Sequence, residues 1–191
     1  MSKKPEIIVF AGPNGSGKST VTKMAMIIPP YINADDIKLT TGCTDLEAAI
    51  LVDKKREQLV EELKSFTFET VLSTDRNLKL LQKAKDLGFF IRCIYVLTVD
   101  PHINCARVKV RKAAGGHDAP TDKIISRYHK ALKLIPKLVE ICDIMHMYDN
   151  TSQPHRIFKR RKEEYFYWEN EFWTKEDIAK LTGINNLQKR D

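Results

Sequence analysis

The stretch AGPNGSGKST, residues 11–20, follows the apolar run IIVF. Gly12, Gly17, Lys18 and Ser19 fit the GxxxxGK[ST] pattern of a phosphate-binding loop. Glycines let the backbone curl so that successive N–H groups converge on phosphate oxygens. Lys18 can reach the β- and γ-phosphates, and the Ser19 hydroxyl can ligate Mg²⁺. The loop as a whole, Gly12, Pro13, Asn14, Gly15, Ser16, Gly17, Lys18, Ser19 and Thr20, is therefore a nucleotide-phosphate cradle. A strand before it and a helix after it supply the context such a loop requires.

A phosphate loop does not name the phosphate acceptor. Transfer to a hydroxyl needs a group that orients the hydroxyl and takes its proton. Asp35 and Asp36 follow a short strand and qualify by position, with Asp35 expected to face the site and Asp36 to cap a helix or be solvated. Glu69, in TFETVL, can bind sugar hydroxyls or hold Mg²⁺ through water; it can equally be an ordinary exposed acid on a strand. Arg107, Arg111 and Arg127 surround the Gly-Pro segment AAGGHDAPTD. Arginines on a closing lid offset charge on the transferring phosphoryl group and keep water out. Arg107 and Arg111 are four apart and share a helix face. His117, inside that segment, is either a substrate contact or a solvated loop residue.

The elements that position these groups alternate. Strands are expected over 6–10, 31–34, 67–72, 89–97 and 142–148, and helices over 18–26, 45–65, 75–87, 101–113 and 121–140. In the helix over 45–65, Asp45 is the expected N-cap and Leu46, Ala49, Ile50, Asp53, Leu59, Val60 and Leu63 the inward face. The basic aromatic stretch 156–168 reads as a hairpin or one extra strand, 174–181 as a short helix, and NNLQKRD as a fraying end. Strand–helix alternation over five strands gives an α/β fold with a parallel sheet flanked by helices. Its ligands belong at the carboxyl ends of the strands. The expected organisation is a single domain over 1–191, with the lid at about 107–127 and a basic aromatic extension at 155–191.

Bulk composition agrees with a globular chain: 42% hydrophobic and 30% charged residues over 191 positions. The net charge of +7 suits either nucleic acid or a polyphosphate cleft. Four scattered cysteines without a CxxC pair read as free thiols in a reducing compartment. No apolar run is long enough for a membrane span, and the expected location is the cytoplasm.

In order along the chain, AGPNGSGKST, INADDI, FETVLST, RVKVRKAAGGHDAP, RY at 127–128 and YDNTS at 148–152 resemble the zeta toxin family of P-loop kinases. The resemblance spans residues 7–152. It implies a P-loop NTPase fold of kinase type, with a five-stranded, mainly parallel sheet flanked by helices and an arginine-bearing lid, ATP or GTP as phosphate donor, with Mg²⁺, and an antitoxin protein as a partner that covers the nucleotide site. Characterised members phosphorylate the 3′-hydroxyl of UDP-N-acetylglucosamine. By motif, Lys18, Asp35, Arg111 and Arg127 match the catalytic set, and Glu69 a substrate-binding acid. Thr70 and Ser73, with Asp36 and His117, fall where the acceptor pocket is expected, and Asn150 and Thr151 where the adenine is lined. The acceptor is then a small-molecule hydroxyl, a nucleotide sugar by family precedent, with no membrane involved. The tail HRIFKRRKEEYFYWENEFW keeps a second reading open, a polynucleotide 5′-hydroxyl kinase or nucleic-acid-stimulated ATPase. A nucleotide-binding switch without transfer is the third.

Overall fold

The structure is a computed structural model that describes residues 4–113 and 119–190. His117 therefore lies outside the described residues. Strand β1 (Glu6–Ala11) lies mid-sheet, between β3 (Phe66–Thr70) and β4 (Phe90–Leu97), with β2 (Tyr31–Ile32) beyond β3 and β5 (Ile144–Asp149) beyond β4. All these pairings are parallel, so the five strands end along one edge of the sheet. Their β-branched and aromatic runs are buried on both faces near the centre, as parallel strands require.

The expected five parallel strands are present, but the sheet has eight. Strands β6 (His155–Arg161) and β7 (Glu164–Tyr167) continue it as an antiparallel hairpin, and β8 (Gln188–Lys189) pairs parallel with β7. The hairpin is held because Ile157, Phe158 and Tyr167 turn into the core. The end expected to fray is pinned by buried Leu187 and by the Arg190 N–H, which donates to the Tyr167 carbonyl at 3.0 Å.

Helices α1 (Lys18–Met24), α2 (Ala34–Thr41), α3 (Asp45–Glu61), α4 (Arg76–Asp86) and α5 (Pro101–Ala113) follow the strands in turn. The helix expected over 121–140 is two helices, α6 (Thr121–Lys133) and α7 (Ile135–Ile141). Pro136, in the first turn of α7, has no N–H to continue the ladder and marks the break. α8 (Lys175–Thr182) is capped by Thr174 and ended by Gly183 in the left-handed region.

Helix α3 differs from expectation at both its cap and its face. Thr44, not Asp45, is the N-cap, forming a reciprocal capping box with Glu47. The buried stripe is Ala48, Val52, Arg56, Leu59 and Val60, while Leu46 and Ile50 are 71% and 55% exposed. Two positions along a helix are about 200° around its axis, so Leu46 and Ile50 oppose the stripe that starts at Ala48. The winning stripe lies against β3, where the Arg56 guanidinium sits 4.4 Å from the Phe68 ring centre.

All four cysteines are free, and Cys93, Cys105 and Cys142 are buried. One sheet face carries half-buried His146, whose Nδ1 has no partner. Burial, helped by Arg156, Lys159 and Arg92, pushes its imidazole down to about 4. The folded state thus disfavours the proton that the unfolded state binds below its ordinary value near 6.5. Stability is expected to fall by about 2 kcal/mol as pH drops from 6.5 through 4, after allowance for solvent screening. Urea midpoints at pH 7 and pH 4.5 for the wild type and His146→Gln check this. The variant should lose less stability; equal losses would exclude His146 as the cause.

Candidate functional site

The phosphate loop leaves β1 through Gly12, whose φ is +140°. A Cβ there would come within 2.0 Å of the Val96 carbonyl oxygen, so only glycine fits. A Cβ on Gly17, at φ +94°, would come within 2.1 Å of the Asn150 side-chain amide nitrogen. That amide donates to the Ser16 carbonyl at 2.8 Å, so the end of β5 props the loop from beneath. The Gly12 N–H donates to the Thr70 carbonyl at 3.2 Å and ties the loop to β3. Lys18 is buried, and its ammonium donates to the carbonyls of Gly12 and Pro13 at 2.9 and 3.0 Å. Burial pulls its pKa below the usual lysine value and the Arg111 charge lowers it further, while Glu69 and Asp35 oppose both. Asn14 Oδ1 and Ser16 Oγ in this loop are buried without a partner among the described residues. The Ser16 hydroxyl, which can donate, and the buried ammonium suit a polyphosphate ligand.

The loop opens into a cleft of about 610 Å³ at the strand ends, lined by Ser19, Thr20, Asp35, Glu69, Thr70, Arg107, Arg111 and Arg127 among others. Asp35 does not end a strand. α2 starts at Ala34, is capped by Asn33, and carries Asp35 in its first turn, with the Asp35 N–H donating to Asn33 Oδ1 at 3.1 Å. The cap assigned to Asp36 thus belongs to Asn33, and Asp36 is exposed. Glu69 is fixed from two sides: Tyr31 donates its hydroxyl proton to Oε2 at 3.0 Å, and Lys18 lies 3.9 Å from Oε1. Burial and the Glu69 charge hold the Tyr31 phenol well above its ordinary value, so it stays a donor.

Helix α5 brings Arg107 and Arg111 to the cleft on one face, and α6 brings Arg127. Arg107 Nη2 donates to the Thr151 carbonyl at 2.9 Å, while its Nη1 is buried without a partner among the described residues. Thr151 accepts the Val99 N–H at 3.0 Å through its hydroxyl. Asn150 and Thr151 brace the loop and Arg107, and neither lines the cleft. Ser73 and Asp36 also lie outside the lining, whereas Thr70 and Thr74 are in it. The Thr70 hydroxyl already accepts from Asn77 Nδ2 and the Leu72 N–H.

Sequence reasoning missed Arg56. It is 5% exposed and lines the cleft floor, with Nη2 donating to the Glu69 carbonyl at 3.0 Å and Nη1 to Asn77 Oδ1 at 3.2 Å. Burial pulls its guanidinium down to about 10, against the Asp53 carboxylate, which raises it. Asp53, breaking an otherwise apolar stripe three residues before an arginine, was the available signal.

No protein-family model matches the chain. An uncharacterized protein of Haemophilus influenzae is 28% identical over 128 residues, covering 63% of this chain and 91% of that protein. A chain from the PezAT chromosomal toxin–antitoxin system of Streptococcus pneumoniae superposes with a TM-score of 0.58 at 19% identity, over 83% of this chain and 72% of that one. The AvrRxo1-ORF1:-ORF2 complex with ATP gives a TM-score of 0.72 at 16% identity, over 94% of this chain and 64% of that one. A chain of the Pnkp1/Rnl/Hen1 RNA repair complex gives 0.51 at 17% identity, over 70% and 46%. At such identities the likeness is one of fold: the chain shares the fold of these structures.

Proposed function

We propose that the protein is an ATP-dependent phosphotransferase that moves the γ-phosphate to a hydroxyl of a small molecule. One observation carries this reading: a single cleft is lined by the phosphate loop, the carboxylates of Asp35 and Glu69, and arginines from two helices. A fold shared with an ATP-bound structure supports the donor. Lys18 and the loop hold the β- and γ-phosphates. Mg²⁺ offsets phosphate charge when bound, and the Ser19 hydroxyl is the protein ligand suited to it, beside phosphate oxygens and water. Among the described residues no group of three His, Cys, Asp or Glu side chains forms a metal cage. Asp35 orients the acceptor hydroxyl and takes its proton as the new O–P bond forms and the bond to the β-phosphate breaks. Arg111 and Arg127 offset charge on the transferring group. GTP can replace ATP in this scheme, and an antitoxin-like protein partner is part of the proposal by fold likeness to toxin–antitoxin structures. Among the described residues no helix is long and apolar enough to cross a membrane.

The tail gives the polynucleotide reading its specific observation. Arg156 lies 5.4 Å from the ring centres of both Tyr148 and Trp168 on one sheet face. Those ring faces are taken by the guanidinium, and Phe158, Tyr167 and Trp173 point inward. A base stacking on the ring faces that Arg156 covers would have to displace it, and the small-molecule reading is preferred.

The test is γ-labelled ATP with Mg²⁺ and a panel of UDP-sugars, nucleosides, free sugars and a 5′-hydroxyl oligonucleotide. Label on a small molecule is the expected result. Label on the oligonucleotide, with activity falling steeply as salt rises, would replace it with the second reading. Bound ATP with no label on any acceptor would leave a nucleotide-binding switch.

A further inference from the structure

Charge in the cleft is divided unevenly. The transfer half gathers Lys18, Arg107, Arg111 and Arg127. The acceptor half, built from α2, α3 and the start of α4, is lined by three cations among the described residues, and each is paired with a carboxylate. Lys38 Nζ lies 2.5 Å from an Asp45 carboxylate oxygen, and Arg76 pairs with Asp53 at 2.5 Å. Those two pairs are at the rim, where ion pairs are weak. Arg56, at the floor, decides the matter. It is buried, 3.6 Å from Asp53, bonded to Asn77 and the Glu69 carbonyl, and stacked on Phe68; its Nε alone has no partner among the described residues, and that atom is itself buried.

An incoming phosphate on the acceptor would meet the carboxylates of Asp53 and Glu69, whose neighbouring cations are already engaged, Arg56 and Arg76 with Asp53 and Lys18 with the phosphate loop, and like charges repel. The same oxygens are good acceptors for ligand O–H donors. Ala48, Ala49, Val52 and Val71 add an apolar wall suited to the face of a sugar or nucleoside ring. We propose that the phosphate acceptor is an uncharged, hydroxyl-rich molecule, a free sugar or a nucleoside bearing no phosphate. This rests on the phosphotransferase reading and narrows it, setting a phosphate-bearing nucleotide sugar aside.

Matched pairs test it: N-acetylglucosamine against UDP-N-acetylglucosamine, glucose against glucose 6-phosphate, and uridine against UMP. Calorimetric binding to the full chain, with the phosphate loop filled by a non-hydrolysable ATP analogue, reads the preference independently of chemistry. The neutral member should bind at least tenfold tighter, and transfer kcat/KM should follow the same order. Sugars and nucleosides are told apart by which pair binds. Asp53→Asn, nearly isosteric, releases Arg56 and Arg76 and should shift preference about tenfold toward the phosphorylated member. Asp45→Asn, at an 84% exposed position that does not endanger the fold, should shift it in the same direction by less. Tighter binding of the phosphorylated members by the wild type would overturn the proposal. Neutral preference without any transfer would overturn the kinase reading alone.

Discussion

Asp35→Asn is expected to lower phosphoryl transfer about 10³-fold while leaving ATP affinity within about twofold. The substitution keeps the size of the side chain and the N–H that donates to Asn33, so α2 should start where it does now. What it removes is a proton acceptor lining the cleft and close enough to act on the Lys18 charge. An amide can still accept a hydrogen bond from a hydroxyl, but it cannot take the proton as the O–P bond forms. Single-turnover transfer from labelled ATP reads the chemical step, and thermal stabilisation by ATP reads binding. Undiminished transfer would remove Asp35 from the role of base. Loss of both signals would mean that Asp35 supports the loop rather than the chemistry. Glu69 is the nearest competitor for the role, but its two oxygens face Tyr31 and Lys18, which fits a positioning acid better than a base.

Legibility in the sequence followed the range of the contacts. The phosphate loop, the start of α5 at Pro101 and the apolar run of β4 are encoded within ten residues or so, and they were readable. Arg111 and Arg127 were readable because they flank a Gly-Pro segment. Arg56 was not, because its partners Glu69 and Asn77 lie 13 and 21 residues further on, on β3 and α4. Asn150 read as an adenine-lining residue, yet its amide bonds to the carbonyl of Ser16, 134 positions earlier. Nothing local to YDNTS specifies that contact. Helix α3 failed differently. Its sequence holds two competing apolar stripes, and only the sheet beneath it selects the one through Val52 and Leu59. The last strand was missed for a similar reason. QK has no strand pattern of its own and exists because Leu187 is buried and β7 offers an open edge.

Lys18→Met separates binding from folding in the opposite sense to Asp35→Asn. The ammonium of Lys18 is buried, and its pKa is held below the ordinary lysine value chiefly by that burial. Keeping a charge there costs folding free energy that the Gly12 and Pro13 carbonyls and the Glu69 carboxylate only partly offset. A methionine fills the same stem volume without the charge. Without nucleotide, the variant should therefore be no less stable than the wild type beyond about 1 kcal/mol, the cost of leaving the loop carbonyls short of a donor. With ATP the two should diverge. At a concentration 100-fold above its Kd, ATP stabilises a folded binding site by about 2.7 kcal/mol. The variant lacks the cation that meets the β- and γ-phosphates and should gain almost none of this, with transfer lowered by about 10³-fold. Urea denaturation with and without ATP checks both halves. A variant that is strongly destabilised without nucleotide would show that Lys18 is chiefly a structural strut of the loop. A variant that keeps the ATP-dependent gain would show that the phosphates are held by the backbone and the arginines of α5 and α6 instead. Only the combination of preserved folding and lost nucleotide stabilisation fits a buried cation kept in place for a phosphate ligand.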